Sequence, residues 1–276
     1  MTPRAPFGPR KARLLPHRSL PTRDTIAATL RAAGCVFAED EADMILAAAD
    51  GDPGAVDGMV TRRAAGLPLE LVVGWAEFGG RRIYVEPGVF VPRRRTEFLV
   101  EQALALAPDA SVVVDLCCGS GAVGAALTAA LGAGDLHAAD IAPAAVRCAL
   151  RNVASLGGHV HQGDLFDALP ARLRGRVDIL AANVPYVPSG EIGLLPGEAR
   201  DHEPRVALDG GADGLDILRR VAAEAPAWLA PGGHLLIETS PHQAPDALSA
   251  FTESRLEARL AVCEERPARV VIGRRP

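Results

Sequence analysis

Asn183-Val184-Pro185-Tyr186 puts an amide, a proline-stiffened backbone and an aromatic ring on four consecutive residues. The run Val177 to Ala182 before it is apolar enough for a buried strand, and Val187-Pro188-Ser189-Gly190 after it reads as loop. The tetrad is therefore expected at a strand's C-terminal end, the edge where open α/β sheets bind ligands. Its chemistry suits the holding of a planar, nitrogen-bearing group. The Asn183 oxygen can accept one N–H. The Val184 carbonyl can accept the other, because Pro185 keeps residue 184 away from helical angles. Tyr186 can cover the flat face. An asparagine after a strand is otherwise an ordinary turn residue, so the reading depends on what else the chain brings to that edge.

A second group does bring something. Asp115-Leu116-Cys117-Cys118-Gly119-Ser120-Gly121-Ala122-Val123-Gly124 joins an apolar strand, Val112 to Leu116, to a helix, Gly121 to Leu131. Gly119, Gly121 and Gly124 satisfy G-x-G-x-x-G, and Asp140 ends the next strand. A dinucleotide site would use the glycines for close approach of a pyrophosphate and the acid for a ribose hydroxyl. S-adenosylmethionine needs much the same geometry, with a ribose for Asp140 and an amino-acid tail along the glycine turn. The glycine pattern alone does not choose. Three features favour S-adenosylmethionine. Asp115 precedes the glycines, where a carboxylate suits an ammonium group and would repel a phosphate. Gly163-Asp164-Leu165-Phe166 follows the third strand, with an acid and apolar groups to bracket an adenine. The end of the sheet is antiparallel, unlike the usual dinucleotide fold.

The elements that must position these residues alternate strand and helix. Strands are expected at Val112 to Leu116, Leu136 to Asp140, His159 to Gln162, Val177 to Ala182 and Gly233 to Glu238, with helices between them at Gly121 to Leu131, Pro143 to Leu156 and Asp213 to Leu229. After a helix at Pro245 to Phe251, strands Glu257 to Cys263 and Ala268 to Ile272 are separated only by a turn and must be antiparallel. The expected fold is α/β: a doubly wound, mostly parallel seven-stranded sheet with an antiparallel C-terminal edge. Ahead of it, a small helical module spans residues 22–68. Thr22 caps a helix whose apolar face is Ile26, Leu30 and Ala33. Glu39 to Ala49 is a second helix, and a third runs from about Ala55 to Ala65. Leu69 to Phe78 and Arg82 to Val85 alternate as two strands through Gly79-Gly80, a hairpin linker over 69–95. The methyl-transfer domain proper would span 96–276. Residues 1–21, rich in proline and arginine, are expected to be a disordered basic tail.

Composition narrows the function classes. In 276 residues with 49% hydrophobic content, no apolar run reaches membrane-span length. The net charge of −5 disfavours broad, sequence-independent nucleic-acid binding. The five cysteines, Cys35, Cys117, Cys118, Cys148 and Cys263, form no C-x-x-C pair and read as reduced thiols of a cytoplasmic protein. His159 and His161 share a strand face, but two ligands are too few for a metal site, and none is expected. Residues 187–212 form a long loop, and loops of that length are usually functional or disordered. Within it Glu191, Glu198, Asp201 and Glu203 can face a positively charged substrate. Arg93 can be a wall of the site or a solvated turn.

On these residues the chain resembles the class I S-adenosylmethionine-dependent methyltransferases. More narrowly, it resembles the protein-(glutamine-N5) methyltransferases that act on peptide chain release factors. Four segments carry the likeness: Phe90-Val91-Pro92-Arg93 with Thr96-Glu97, Asp115 to Gly121, Asn183 to Tyr186, and Glu198 to Leu208 leading to Asp213-Gly214-Leu215. The resemblance implies a cofactor turn at Cys117 to Gly121, a ribose acid at Asp140 and an adenine-side position at Leu165. It implies a substrate clamp at Asn183, Val184, Pro185 and Tyr186, with Asn183 also near the cofactor. The expected acceptor is a glutamine amide in the Gly-Gly-Gln loop of a release factor, met by a monomer with no stable nucleic-acid or membrane partner. Three positions depart from the family pattern. Val184 stands where the first proline is usual, Leu165 where a larger aromatic can occur, and Arg94-Arg95 where a proline and an acid usually precede Thr96. The chain thus looks like a divergent member. Rival readings are a nitrogen-directed RNA or DNA methyltransferase with the same clamp, a nicotinamide-dependent oxidoreductase, and a non-enzymatic protein that kept the fold.

Overall fold

The computed structural model describes residues 19–132 and 134–276. The chain divides into two compact units that meet in sequence between Ala65 and Gly66. The expected basic tail lies outside the described residues as far as residue 18.

The first unit holds three helices, α1 (Arg23–Ala32), α2 (Ala38–Ala48) and α3 (Pro53–Ala64). Thr22 caps α1 by accepting the Thr25 N–H at 3.3 Å. Ile26, Ala27 and Leu30 are buried, whereas Ala33, expected on that face, is exposed and Cys35 is buried beyond it. Helix α3 starts at Pro53, ahead of the expected Ala55, because the Asp52 side chain takes the Gly54 N–H at 2.8 Å and proline suits a first helical turn. Arg63 on α3 grips Glu41 on α2 with two bonds of 2.6 and 3.0 Å.

The second unit opens with a correction. Leu69–Val73 is a helix, α4, not the first half of a strand. Pro68 precedes it, Leu71 and Val72 are buried, and Gly74 at φ 84° closes it by donating to the Glu70 carbonyl. Burial of that short apolar face outweighs the β-branched composition. The hairpin is correspondingly short, β1 (Trp75–Phe78) against β2 (Arg81–Tyr84). A 3-10 turn at Arg94–Thr96 then leads into α5 (Glu97–Leu106).

From there strand and helix alternate: β3 (Val112–Leu116), α6 (Ala122–Leu131), β4 (Asp135–Asp140), α7 (Pro143–Val153), β5 (His159–Gln162) and β6 (Val177–Ala182). The excursion 187–212 is not the structureless loop expected. It carries α8 (Gly197–His202) and short 3-10 turns, and its ends are stitched by Val187 N to Leu208 O and Gly210 N to Val187 O, each 2.9 Å. The chain continues through α9 (Asp216–Trp228), β7 (Leu229–Glu238), α10 (Ala244–Glu253), β8 (Glu257–Cys263) and β9 (Ala268–Arg274). Strand β7 begins ahead of the expected Gly233, and a register shift opposite Val177 and Ile179 absorbs Pro231-Gly232.

Seven strands form one sheet in the order β5-β4-β3-β6-β7-β9-β8. Strands β3 to β7 run parallel, and β9 is antiparallel to both β7 and β8. This is the doubly wound sheet with an antiparallel edge expected from the sequence. Alternation along the strands splits the core in two. Leu116, Leu180 and Ile237 join Leu218, Trp228 and Phe251 of α9 and α10 on one face, while Val113, Ile179 and Leu236 join Leu99 and Leu127 of α5 and α6 on the other.

The C-terminal ends of β3, β4, β6 and β7 therefore reach one edge of the sheet, and the turn after β3 has to be tight. Gly121 there has φ 75°, and a Cβ on it would stand 3.1 Å from the Ala149 Cβ and 3.2 Å from its Cα on α7. Gly121→Ala is expected to cost about 2–3 kcal/mol of stability through a left-handed side chain and a crowded helix contact. Urea unfolding, compared with Gly132→Ala, where a Cβ would meet open space at similar φ, separates the packing cost from the backbone cost.

Candidate active site

Along that edge lies a cavity of about 580 Å³. It is built in two halves. One half comes from the ends of β3, β4 and β5, and Asp115, Cys117, Cys118, Gly119, Ser120, Asp140 and Leu165 line it. The other comes from β6, β7 and the approach to α5, and there Asn183, Val184, Pro185 and Tyr186 face Phe90, Arg95, Thr96 and Glu238. Of the residues given to the cofactor turn, the ribose and adenine positions and the clamp, Gly121 alone is absent from the lining; it sits beneath the turn, against α7.

The first half is a cradle of backbone and carboxylates. Asp115 is 1% exposed, and its Oδ2 accepts the Gly124 N–H at 2.8 Å. Burial, with Asp140 nearby, pushes its carboxyl up to about 7 despite that bond. Asp140 accepts Gly119 N–H through Oδ2 and Ala142 N–H through Oδ1, both 2.9 Å, which fixes the turn and the carboxylate together. Burial raises its pKa too, against the pull of those two amides. Cys117 and Leu165 are held at φ 54° and 47°. Left-handed non-glycine residues are costly and tend to collect at functional sites. Burial raises the Cys117 and Cys118 thiols well above their ordinary range, so neither is a nucleophile. Phe166, expected beside the adenine position, turns into the core instead and stacks on Trp228 at 5.4 Å between ring centroids. Asp164 pairs with Arg220 at 2.7 Å.

The second half is a chain of polar contacts around the tetrad. Thr96 donates its hydroxyl to Glu238 Oε2 at 2.6 Å. With its proton committed, that hydroxyl can only accept from Asn183, whose Nδ2 lies 3.5 Å away. The amide is therefore oriented with nitrogen toward Thr96, and no hydrogen bond within the described residues claims its Oδ1 or the neighbouring Val184 carbonyl. Two acceptors thus stand side by side at the cavity. Glu238 Oε1 takes Arg95 Nε at 2.8 Å, and Arg95 also donates to the Tyr186 hydroxyl. Burial and the Glu238 charge raise the Tyr186 phenol, so it stays neutral and is no base.

Two further devices hold the clamp. Gln243 donates to the Tyr186 carbonyl at 2.8 Å and to the Asp213 carbonyl at 2.9 Å, while Ser240 donates to its Oε1 at 2.8 Å. Gly214, at φ 79°, leaves the space that this side chain needs. Arg93 pairs with Glu203 at 2.6 Å and lies over the Phe90 ring, which makes it a wall of the cavity. Glu203 is buried in the cavity wall, its Oε1 taken by Arg93 and the Val91 N–H, whereas Glu191, Glu198 and Asp201 remain on the surface. His202 is half-buried and has no place in the lining. His159 and His161 stack with His137, and no group among the described residues can hold a metal.

Sequence reasoning missed Glu238, Thr96 and Gln243 as site residues. A signal existed for Glu238, an acid ending the apolar run Leu235-Leu236-Ile237. Thr96 stands in one of the four segments that carry the likeness, though without a role assigned, and Gln243 has no distinguishing pattern.

Residues 80–193 match the model of the methyltransferase small domain. A release factor glutamine methyltransferase of Geobacter sulfurreducens is 39% identical over 202 residues, 72% of this chain and 70% of the relative. Another, of Mycolicibacterium smegmatis, is 36% identical over 247 residues, 83% and 87% of the two chains. The chain belongs to the release factor glutamine methyltransferase family. Its fold is also that of a 16S rRNA methyltransferase of T. thermophilus solved with AdoMet and guanosine, at a TM-score of 0.54 and 19% identity over 73% of this chain and 50% of the other.

The relay from Glu238 makes a checkable claim. Thr96→Val removes the hydroxyl at nearly constant volume, frees the Asn183 amide to rotate, and is expected to lower kcat about tenfold with cofactor affinity unchanged. Thr96→Ser should retain activity. Steady-state kinetics beside cofactor titration tests both.

Proposed function

We infer that this protein transfers the methyl group of S-adenosylmethionine to the side-chain amide nitrogen of a glutamine, in the Gly-Gly-Gln loop of a peptide chain release factor. The observation that carries the reading is the pair of unclaimed acceptors, Asn183 Oδ1 and the Val184 carbonyl, side by side at the cavity. A primary amide presents two N–H groups to such a pair, and a hydroxyl only one proton. The family relatives supply the acceptor by name.

The cofactor, when bound, supplies an electrophilic methyl on a sulfonium. This chain's own residues do the positioning. Asp115 suits the cofactor's ammonium group and Asp140 its ribose hydroxyls, and the left-handed turn at Cys117 lets the backbone follow the amino-acid tail. Leu165 offers an apolar surface on the adenine side. In the substrate half, Asn183 and Val184 accept the two amide N–H groups. That polarises an otherwise poor nucleophile and turns its nitrogen toward the methyl, so alignment provides most of the rate enhancement. Tyr186 and Phe90 cover the group and exclude water. The neutral phenol of Tyr186 takes no proton.

The excursion 187–212 places Leu194, 82% exposed, beside a cavity wall, in keeping with a protein substrate. In the helical unit Val36 and Phe37 also stand exposed, which supports a docking role there. A monomer working in the cytoplasm without stable nucleic-acid binding fits the negative net charge and cysteines that form no C-x-x-C pair. No helix among the described residues is long and apolar enough to cross a membrane.

Labelled methyl is expected to pass from S-adenosylmethionine to a purified release factor, at the Gly-Gly-Gln glutamine by peptide mass, and Asn183→Ala should abolish it. Label on RNA, with steep salt dependence, would instead favour the nucleic-acid rival.

Cofactor binding should also depend on pH. With Asp115 titrating at about 7 in the free protein, an ammonium partner requires the ionised form, so binding releases a proton below that pH. Affinity is expected to rise as pH goes from about 6 to 8, by up to about tenfold per unit on the acid side. Asp115→Asn should flatten the profile in calorimetric titrations.

A further inference from the structure

We propose that Arg95 is a positioning residue that ties the two side chains of the clamp into one polar belt and supplies the rigidity that a proline at position 184 would give. The proposal rests on the reading that residues 183–186 hold an amide.

The belt can be followed bond by bond. Tyr186 accepts from Arg95 Nη2, and Arg95 Nε reaches Glu238 Oε1 at 2.8 Å. Glu238 Oε2 accepts from Thr96 at 2.6 Å, and Thr96 accepts from Asn183 at 3.5 Å. The path leaves the tetrad at its last residue and returns at its first. With proline at 184 the backbone angle φ between them would be locked near about −65°. Val184 leaves that angle wider than proline would, within the extended range that Pro185 imposes, and its burial at 1% exposure constrains the side chain rather than the carbonyl. The side-chain ring closes the constraint from outside.

Arginine is the residue that can do this. An acid at position 95 would set a second negative charge against the Glu238 side chain, which is 4% exposed, and would have no N–H for Tyr186. Lysine is a compact point charge and lacks the planar fork that reaches two acceptors in fixed directions. Arg95 itself is 44% exposed, so its loss removes little core packing. The unusual arginine at 95 and the unusual valine at 184 are thus two halves of one arrangement.

Two measurements test it. The first needs no substrate. The chain has two tyrosines, so spectrophotometric titration with Tyr186→Phe as reference isolates Tyr186. Arg93 and Arg95 lower its pKa and Glu238 raises it. Arg95→Met should therefore move the Tyr186 titration to higher pH, and an unmoved titration would overturn the belt. The second is methyl transfer to a release factor. Arg95→Met is expected to lower kcat about tenfold, with Arg95→Lys sharing most of the loss and unfolding midpoints confirming that both variants fold. Val184→Pro should then raise kcat at least about fivefold more in the Arg95→Met background than in wild type. Equal effects in the two backgrounds would refute the compensation. Should wild type itself transfer no methyl to a release factor, the glutamine reading fails, and the tyrosine titration still decides the belt.

Discussion

Glu238 carries a carboxylate at 3% exposure, at the end of a strand where the three residues before it, Leu235, Leu236 and Ile237, are apolar. A buried charge of that kind is strongly unfavourable unless it is paired and its lone pairs are used. Here each oxygen has its own partner, Arg95 on one side and Thr96 on the other. Thr96 lies at the entry to α5 and Asn183 follows β6, so one carboxylate pins two of the sheet's covering and core elements to the end of β7. The Asn183 rotamer is set by that requirement rather than by any contact with a ligand. Within the described residues, both acceptors, Asn183 Oδ1 and the Val184 carbonyl, are left without protein hydrogen bonds by the fold itself.

The cofactor half of the cavity is preorganised by different means. No buried ion pair organises it. Backbone conformation does, through the left-handed residues Cys117 and Leu165 and through Asp140, whose two oxygens accept amides of the turns it borders. Asp115 is left buried with one backbone partner and a raised pKa, a carboxyl that an ammonium group can ionise.

Much of the fold is legible in the chain because its elements announce themselves locally. Val112 to Leu116 and Val177 to Ala182 are apolar runs broken by one aspartate each and bounded by turn residues, as suits strands buried on both faces. Glu257 to Cys263 and Ala268 to Ile272 are too close for a crossover. The misreading of Leu69 to Val73 has the opposite cause. Leu-Glu-Leu-Val-Val fits a strand by composition, and only the burial of Leu71 and Val72, closed by Gly74, makes it a turn of helix. The stretch 187–212 misleads in another way. Its short helix and turns carry little periodicity, and its closure depends on Val187 meeting residues 208 and 210, a pairing between distant positions.

By itself, then, the sequence determined the sheet order's parallel core, the glycine turn, and the residue types of the clamp. Such features are encoded in runs of neighbouring residues, where hydrophobic period and backbone permissiveness act locally. Tertiary structure alone decided which side chains would serve that clamp. Arg95 and Thr96 come from one segment and Glu238 and Gln243 from another, and they are joined only because folding brings the start of α5 and the end of β7 to the same edge. What makes them a unit is the cost of burying a charge without partners, and that cost does not exist until the chain has folded around it.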